Sequence, residues 1–156
     1  MARVNVGTNP KYLSDQHLVA ESVEITMITG GLRLHKYKIK GIIPGKFPMG
    51  KGHINFFKNK LLYLKRRLDE VNNEMRARGF KPGTHIDLDE FPKELVNDWI
   101  PTMDDSKHIR ERIADRLVNP LKAKRGKFHR YHGKLIDDES MPSFQSMIMT
   151  SEIYHV

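Results

Sequence analysis

The longest periodic pattern in the chain runs through Ile54, Phe57, Leu61, Leu64, Leu68, Val71 and Met75, apolar positions separated by steps of 3, 4, 3, 4, 3 and 4. That spacing keeps one face of an α-helix apolar. The opposite face carries Lys58, Lys65, Arg66, Asp69, Asn73 and Arg76, and Gly79 supplies a left-handed stop. One helix of about seven turns is predicted, at roughly 3.6 residues per turn, as the central strut of the fold. An earlier helix is predicted over Asp15–Thr26, with Ser14 as N-cap and Leu18, Glu21/Ser22 and Ile25 on one stripe; Thr29-Gly30-Gly31 should break it. A third runs from the N-cap chemistry of Asp104-Asp105-Ser106 to Leu117, with Ile109, Ile113 and Leu117 facing inward and Pro120 ending it.

The remaining segments are loop-like. Gly41, Pro44, Gly45, Pro48, Gly50 and Gly52 make a long turn-rich stretch, and loops of that length are usually functional or disordered. A short helical segment is expected at Pro92–Trp99, where Pro92 suits a first helical position. Residues 137–156, rich in Ser, Met and acids, show no helical period and are expected to form a loosely packed tail. The expected fold is all-α: a single compact domain of three main helices with long loops, spanning residues 1–136, followed by that tail.

Composition narrows the classes. The chain has 156 residues, 38% of them hydrophobic, and no apolar run near the roughly 18 residues of a membrane span. The opening MARVNVGTNP has no apolar run, so no signal peptide is expected. Cysteine is absent, which excludes disulfides, thiolate metal sites and cysteine nucleophiles and leaves a reducing, cytoplasmic compartment as the expectation. The eight histidines are scattered, with only His129 and His132 within one turn, so neither a metal site nor a cofactor is expected. There is no P-loop, no GxGxxG and no serine elbow.

Charge is more informative. Lys and Arg number 27 against 19 Asp and Glu, a formal +8, and the sequence pI is about 9.7. Arg33–Lys81 holds 14 basic residues and three acids, Lys122–Lys134 six and none, whereas Pro82–Ser106 holds seven acids and one lysine. Segregation of this kind points to a basic face for a polyanion, with a merely solvated basic surface as the plain alternative. Nucleic acid fits better than a membrane surface, because no basic amphipathic helix carries aromatics on a sharply apolar side.

Two groups offer chemistry without a cofactor. Glu24 sits on the first predicted helix, where a lone glutamate is ordinarily solvated. Met1 before the small Ala2 is the usual setting for methionine removal, and an α-amine with a pKa near 7.7–8 is partly neutral at physiological pH. Such an amine can attack a sugar C1′ and form an imine. Composition alone does not single this out.

Several collinear motifs do. Met1-Ala2-Arg3, Asp15-Gln16-His17-Leu18-Val19-Ala20-Glu21-x-x-Glu24 and Gly50-x-Gly52-His53-x-x-Phe56-Phe57-x-x-Lys60-Leu61-x-x-Leu64 resemble the phage pyrimidine-dimer DNA glycosylase/AP lyase, the phage-type endonuclease V. Arg78-Gly79-Phe80, Trp99-Ile100-Pro101, the Arg112/Arg116 helix and Phe128-x-x-Tyr131-x-Gly133-Lys134-x-Ile136 continue the likeness, which covers roughly residues 1–136. The resemblance implies an all-α domain, a lesion-bearing DNA duplex as partner, a monomer and no membrane. It implies that the Ala2 amine, where the family usually has threonine, attacks C1′ of the damaged nucleotide. Glu24 would stabilise the developing sugar cation and help remove the 2′ proton for β-elimination. Arg3, Gln16, His17, Arg112, Arg116 and Lys134 match DNA-holding positions, and Phe128 replaces a tryptophan that can stack on a base. The family extrudes the base opposite the lesion.

The chain also departs from the pattern. Val23 and Met27 stand where the family has phosphate-clamping arginines, and the loop before Phe128 is longer and more basic, with Lys122, Lys124 and Arg125. Three alternatives remain: a glycosylase for another modified pyrimidine, a non-catalytic basic DNA-binding module, and an interaction protein using the acidic 84–106 segment.

Overall fold

The computed structural model describes residues 3–118 and 129–156. Among them the regular structure is helical except for one two-residue hairpin: α1 (Asp15–Leu34), α2 (His53–Phe57), α3 (Leu61–Ala77), α4 (Met103–Val118), β1 (Arg130–Tyr131), β2 (Lys134–Leu135) and α5 (Met141–Thr150). The all-α class is as expected, with α1, α3 and α4 as its long helices. No described helix is long and apolar enough to cross a membrane.

The helix α1 is longer than predicted. Gly30 and Gly31 do not break it, because Ile28 and Leu32 on either side are 0% and 1% exposed and burial holds the backbone helical. It ends in a Schellman motif: the Tyr37 N–H reaches the Leu32 carbonyl at 2.7 Å and the Lys36 N–H the Arg33 carbonyl at 3.0 Å. The left-handed residues are Lys36 (φ 52°) and Tyr37 (φ 61°), neither of them glycine, so the sequence carries no visible stop there.

The predicted seven-turn helix is in fact two, α2 and α3. Lys60 leaves the helical region (φ −127°, ψ 44°), and its ammonium donates to the Phe56 carbonyl at 2.8 Å, closing α2. A step of four from Phe57 to Leu61 preserves the period across the break, and both residues are fully buried. The far end of α3 stops at Gly79 as expected: the Phe80 N–H bonds Met75 at 2.9 Å and the Gly79 N–H bonds Arg76 at 3.0 Å.

By contact density the chain divides into two compact units, residues 1–4, 20–100 and 156 in one and residues 5–19 and 101–155 in the other. In the first, the inward residues of α1 and α3 form an aliphatic core extended by a ring cluster of Phe47, His53, Phe56, Phe57, Tyr63 and Trp99. Through this core runs one ion pair. Arg67 binds Glu21 with both prongs, Nε to Oε1 at 2.6 Å and NH2 to Oε2 at 3.0 Å, and both side chains are 0% exposed. Removing one partner from such a buried pair strands the other charge, at about 3–5 kcal/mol. This pair explains why a glutamate can interrupt the inward stripe of α1. The expected helix at Pro92–Trp99 is only a 3-10 turn, Lys93–Leu95, because the Asn97 amide folds back onto the Glu94 carbonyl at 2.8 Å and ends it.

In the second unit, α4 presents Ile109, Ile113 and Leu117 inward, as predicted. Its cap is Thr102, not the Asp104–Ser106 triplet: Thr102 Oγ1 accepts from the Asp105 N–H at 3.2 Å, and the Asp105 carboxylate accepts from the Thr102 N–H at 2.9 Å. The absence of a helix after residue 136 is overturned. Residues Met141–Thr150 form α5, packed on α4 with Ile148 0% exposed and the Gln145 amide on the Ala114 carbonyl at 2.9 Å. Arg110 holds the chain after α5, donating to the Ser151 carbonyl and, at 2.8 Å, to that of Glu152. The missed signals were Ser140, Pro142 in the first turn and the Phe144/Ile148 spacing.

Candidate functional site

Ala2 and Phe128, the expected nucleophile and stacking residue, lie outside the described residues, as do Lys122, Lys124 and Arg125. The structure does show how the chain is held immediately after Ala2. The Arg3 Nε donates to the Met49 carbonyl at 2.8 Å, and the Val4 N–H donates to His53 Nε2 at 3.1 Å. His53 Nδ1 faces the Pro48 carbonyl at 2.9 Å. Nε2 must therefore accept and Nδ1 must carry the hydrogen, which defines a neutral imidazole of one tautomer. The ring is 1% exposed and lies edge-on to Phe47 and Phe57 at 5.3 and 5.2 Å. Gly52 is required beside it: its φ is 96°, and a Cβ there would come within 3.1 Å of Pro44 Cγ. Arg3, Lys51, His53 and Asn55 line a cavity of about 330 Å³. Sequence reasoning quoted His53 within a motif but gave it no task; the Gly-x-Gly-His loop was the available signal.

Glu24 lies in the same unit as Arg3, on the third turn of α1. It is 2% exposed, so the reading of a solvated surface glutamate is wrong. A carboxylate held away from bulk water acts on nearby charge more strongly than one in solvent. Its neighbours Val23 and Met27 are 52% and 57% exposed, which puts apolar surface where the resemblance expects cations.

The second unit gathers the other expected DNA-contacting residues. Ser14 caps α1 as predicted, its Oγ accepting from the His17 N–H at 3.2 Å, and it also bonds His129 Nδ1 at 2.8 Å. The His17 and His129 rings lie 4.5 Å apart. Burial first, then His129 and the Arg112 and Arg116 guanidinium groups, pushes the His17 imidazole down to about 3. His129 is also lowered, by burial. His17 is therefore neutral at physiological pH, and the positive charge of this cluster comes from the arginines. Gln16 holds the hairpin, its side-chain oxygen accepting from the Arg130 N–H at 2.8 Å. The Asp15 carboxylate takes the turn amides of His132 and Gly133 at 3.1 and 2.8 Å. Both turn residues have positive φ, the pattern of a tight two-residue hairpin, and Lys134 follows exposed on β2. Among the described residues no three His, Asp or Glu side chains gather as a metal site.

The depressed His17 pKa has a sign that can be checked. Above about pH 6.5 the ring is neutral in both folded and unfolded chains. As pH falls below that, the unfolded chain takes up a proton that the folded one refuses until about 3, so stability drops through this window. The slope from one such group approaches about 1.4 kcal/mol per pH unit. Melting temperatures across that range should fall more steeply for the natural chain than for His17→Gln. Parallel curves would mean that His17 titrates normally.

The segment containing Arg3, the Gln16-His17 turn, Glu24 and the His53 tether coincides with a match to known proteins. The family model for pyrimidine dimer DNA glycosylase covers residues 1–88, more than half of the 156 residues, and ends before α4, Arg112 and Arg116. By that match the chain belongs to the pyrimidine dimer DNA glycosylase family.

Proposed function

We propose that this glycosylase excises UV-induced pyrimidine dimers from double-stranded DNA and then nicks the abasic site by β-elimination, through an imine between the Ala2 amine and C1′. Residues 1–136 carry both steps. The observation that supports this reading best is the placement of the chain entry: two hydrogen bonds direct residues 3 and 4 in the same unit that buries Glu24. These bonds hold residues 3 and 4, the backbone from which the amine extends, and confinement of a nucleophile is a large part of a catalyst's advantage. Attack on C1′ expels the base. Glu24 stabilises the positive charge that develops on the sugar and, once the imine has formed, takes the 2′ proton so that the 3′ phosphate leaves. Arg112, Arg116, Lys134, Gln16 and His17 hold the duplex. The exposed Val23 and Met27 favour a second reading within the class, a related altered pyrimidine as substrate, because they cannot clamp phosphates.

Borohydride reduction in the presence of abasic-site DNA tests the chemistry. A covalent protein–DNA adduct is expected, whereas a non-catalytic binder would give none. The grip is tested separately. Arg112 and Arg116 are one helical turn apart on α4, half-buried beside its inward stripe and close enough to His17 to act on its charge. Each phosphate contact contributes roughly 0.9 to the slope of log affinity against log salt, so Arg112→Ala with Arg116→Ala should flatten that slope by about two. Affinity should fall for damaged and undamaged duplexes alike. An unchanged slope with a lowered melting temperature would assign both arginines to structure.

A further inference from the structure

From Arg33 to Arg67 the chain has eleven Lys and Arg and no acid. The fold itself engages six of them. Arg33 pairs with Glu90, Lys65 with Asp69, Arg66 with Asp98 and Arg67 with Glu21; Lys58 is buried, and Lys60 closes α2 over the Phe56 ring. The other five, Lys36, Lys38, Lys40, Lys46 and Lys51, are exposed and form no ion pair with any described residue. All five belong to the loop between α1 and α2. In the middle of that loop stands Ile42, 88% exposed, the most exposed large apolar side chain among the described residues.

The loop is built, not merely connecting. Its Lys40 carbonyl accepts from the Asn55 side chain at 3.4 Å, Gly41 turns the chain with φ 84°, and the Pro48 and Met49 carbonyls are the ones bound by His53 and Arg3. Asn55 lines the same cavity as Arg3, so the residues that present Ile42 adjoin the chain entry. Lysines around the tip attract phosphates, but an isoleucine gains nothing from a phosphate. Against a duplex, an apolar side chain finds partners only on sugar edges, on base faces or between base steps, where it unstacks and kinks the helix.

We propose that residues 36–51 form a DNA-gripping arm on which Ile42 is a wedge, pressed into the base stack beside the damaged nucleotide. This rests on the proposed function for the position of the lesion. Ile42 is a positioning residue: it holds the duplex open while other groups do the chemistry. The arm also supplies phosphate contacts on the unit that carries Val23 and Met27.

The test uses the full chain, a duplex with a non-cleavable abasic analogue and 2-aminopurine opposite it, and a cleavable abasic duplex for trapping. Ile42→Ser should suppress the rise in 2-aminopurine fluorescence and slow single-turnover trapping by about tenfold, as expected for losing one buried isoleucine. It should leave the salt slope of binding unchanged, and Ile42→Leu should restore both signals. The combined Lys38→Gln, Lys40→Gln and Lys46→Gln variant should instead flatten the slope by up to about 2.7, at roughly 0.9 per phosphate. Unchanged fluorescence and trapping in Ile42→Ser would overturn the wedge, and an unchanged slope in the lysine variant would overturn the arm. Tighter binding to phosphatidylserine vesicles than to the duplex, lost in the lysine variant, would reassign the loop to a membrane surface. The fluorescence and salt readouts need no chemistry, so absence of trapping in the natural chain would sink the imine mechanism while leaving the arm to be judged on its own.

Discussion

Acetylation of the N-terminal amine should abolish imine trapping while leaving DNA affinity within a few-fold of the unmodified chain. An acetylated nitrogen has its lone pair delocalised into an amide and cannot add to C1′, so the expected loss is complete. Retention of Met1 should have nearly the same effect for a different reason. It moves the amine one residue, up to about 3.6 Å of extended chain, further from the backbone that the Arg3–Met49 and Val4–His53 bonds hold. Near-attack geometry tolerates far less than that displacement. Intact-mass measurement reports which form of the chain is present, and borohydride trapping on abasic DNA reports the activity of each. Binding should persist because the grip is assigned to Arg112, Arg116 and the exposed lysines, and none of these is altered. Full trapping by an acetylated chain would move the nucleophile to a lysine. The Lys60 amine, whose pKa burial lowers, would then be the first to substitute.

Where the sequence was legible, the interaction concerned was local. The α3 stripe could be read because its inward residues recur at helical spacing, and Gly79 marked its end because a left-handed residue is usually glycine. Lys36 occupies the equivalent position after α1 without being glycine, so that end was invisible. Gly30-Gly31 misled because two glycines lower helix propensity, whereas burial of Ile28 and Leu32 decides the matter in the folded chain. Arg67 sits among the charged residues of α3 in sequence, yet it is fully buried because Glu21, 46 positions earlier, meets it. The candidate site followed the same division. The residue types at Arg3, Gln16, His17 and Glu24 were recognisable by resemblance. The burial of Glu24, the neutrality of His17 and the clamp of His53 on Val4 depend on neighbours brought in by folding, and no local pattern encodes them.

Glu24→Gln should reduce strand cleavage by at least about a hundredfold, the lower end of the roughly 10²–10⁴-fold that a positioned acid–base group contributes. The substitution keeps the shape of the side chain and removes both things proposed of it, the negative charge that steadies the sugar cation and the base for the 2′ proton. Glycosidic cleavage depends on the first and β-elimination on the second, so a preformed abasic duplex separates them. On that duplex the imine should still form and be trapped by borohydride, while the nick should be largely lost. Burial sharpens the expectation. Glu24 is 2% exposed, so water cannot replace the missing charge as it would at a surface. Folding should survive, since an amide of the same shape costs less to bury than a carboxylate. A thermal melt of the variant checks this independently of activity. Cleavage within a few-fold of the natural chain, with the melt unchanged, would reduce Glu24 to a structural carboxylate of α1. The 2′ proton would then have to be taken by another group of the same unit.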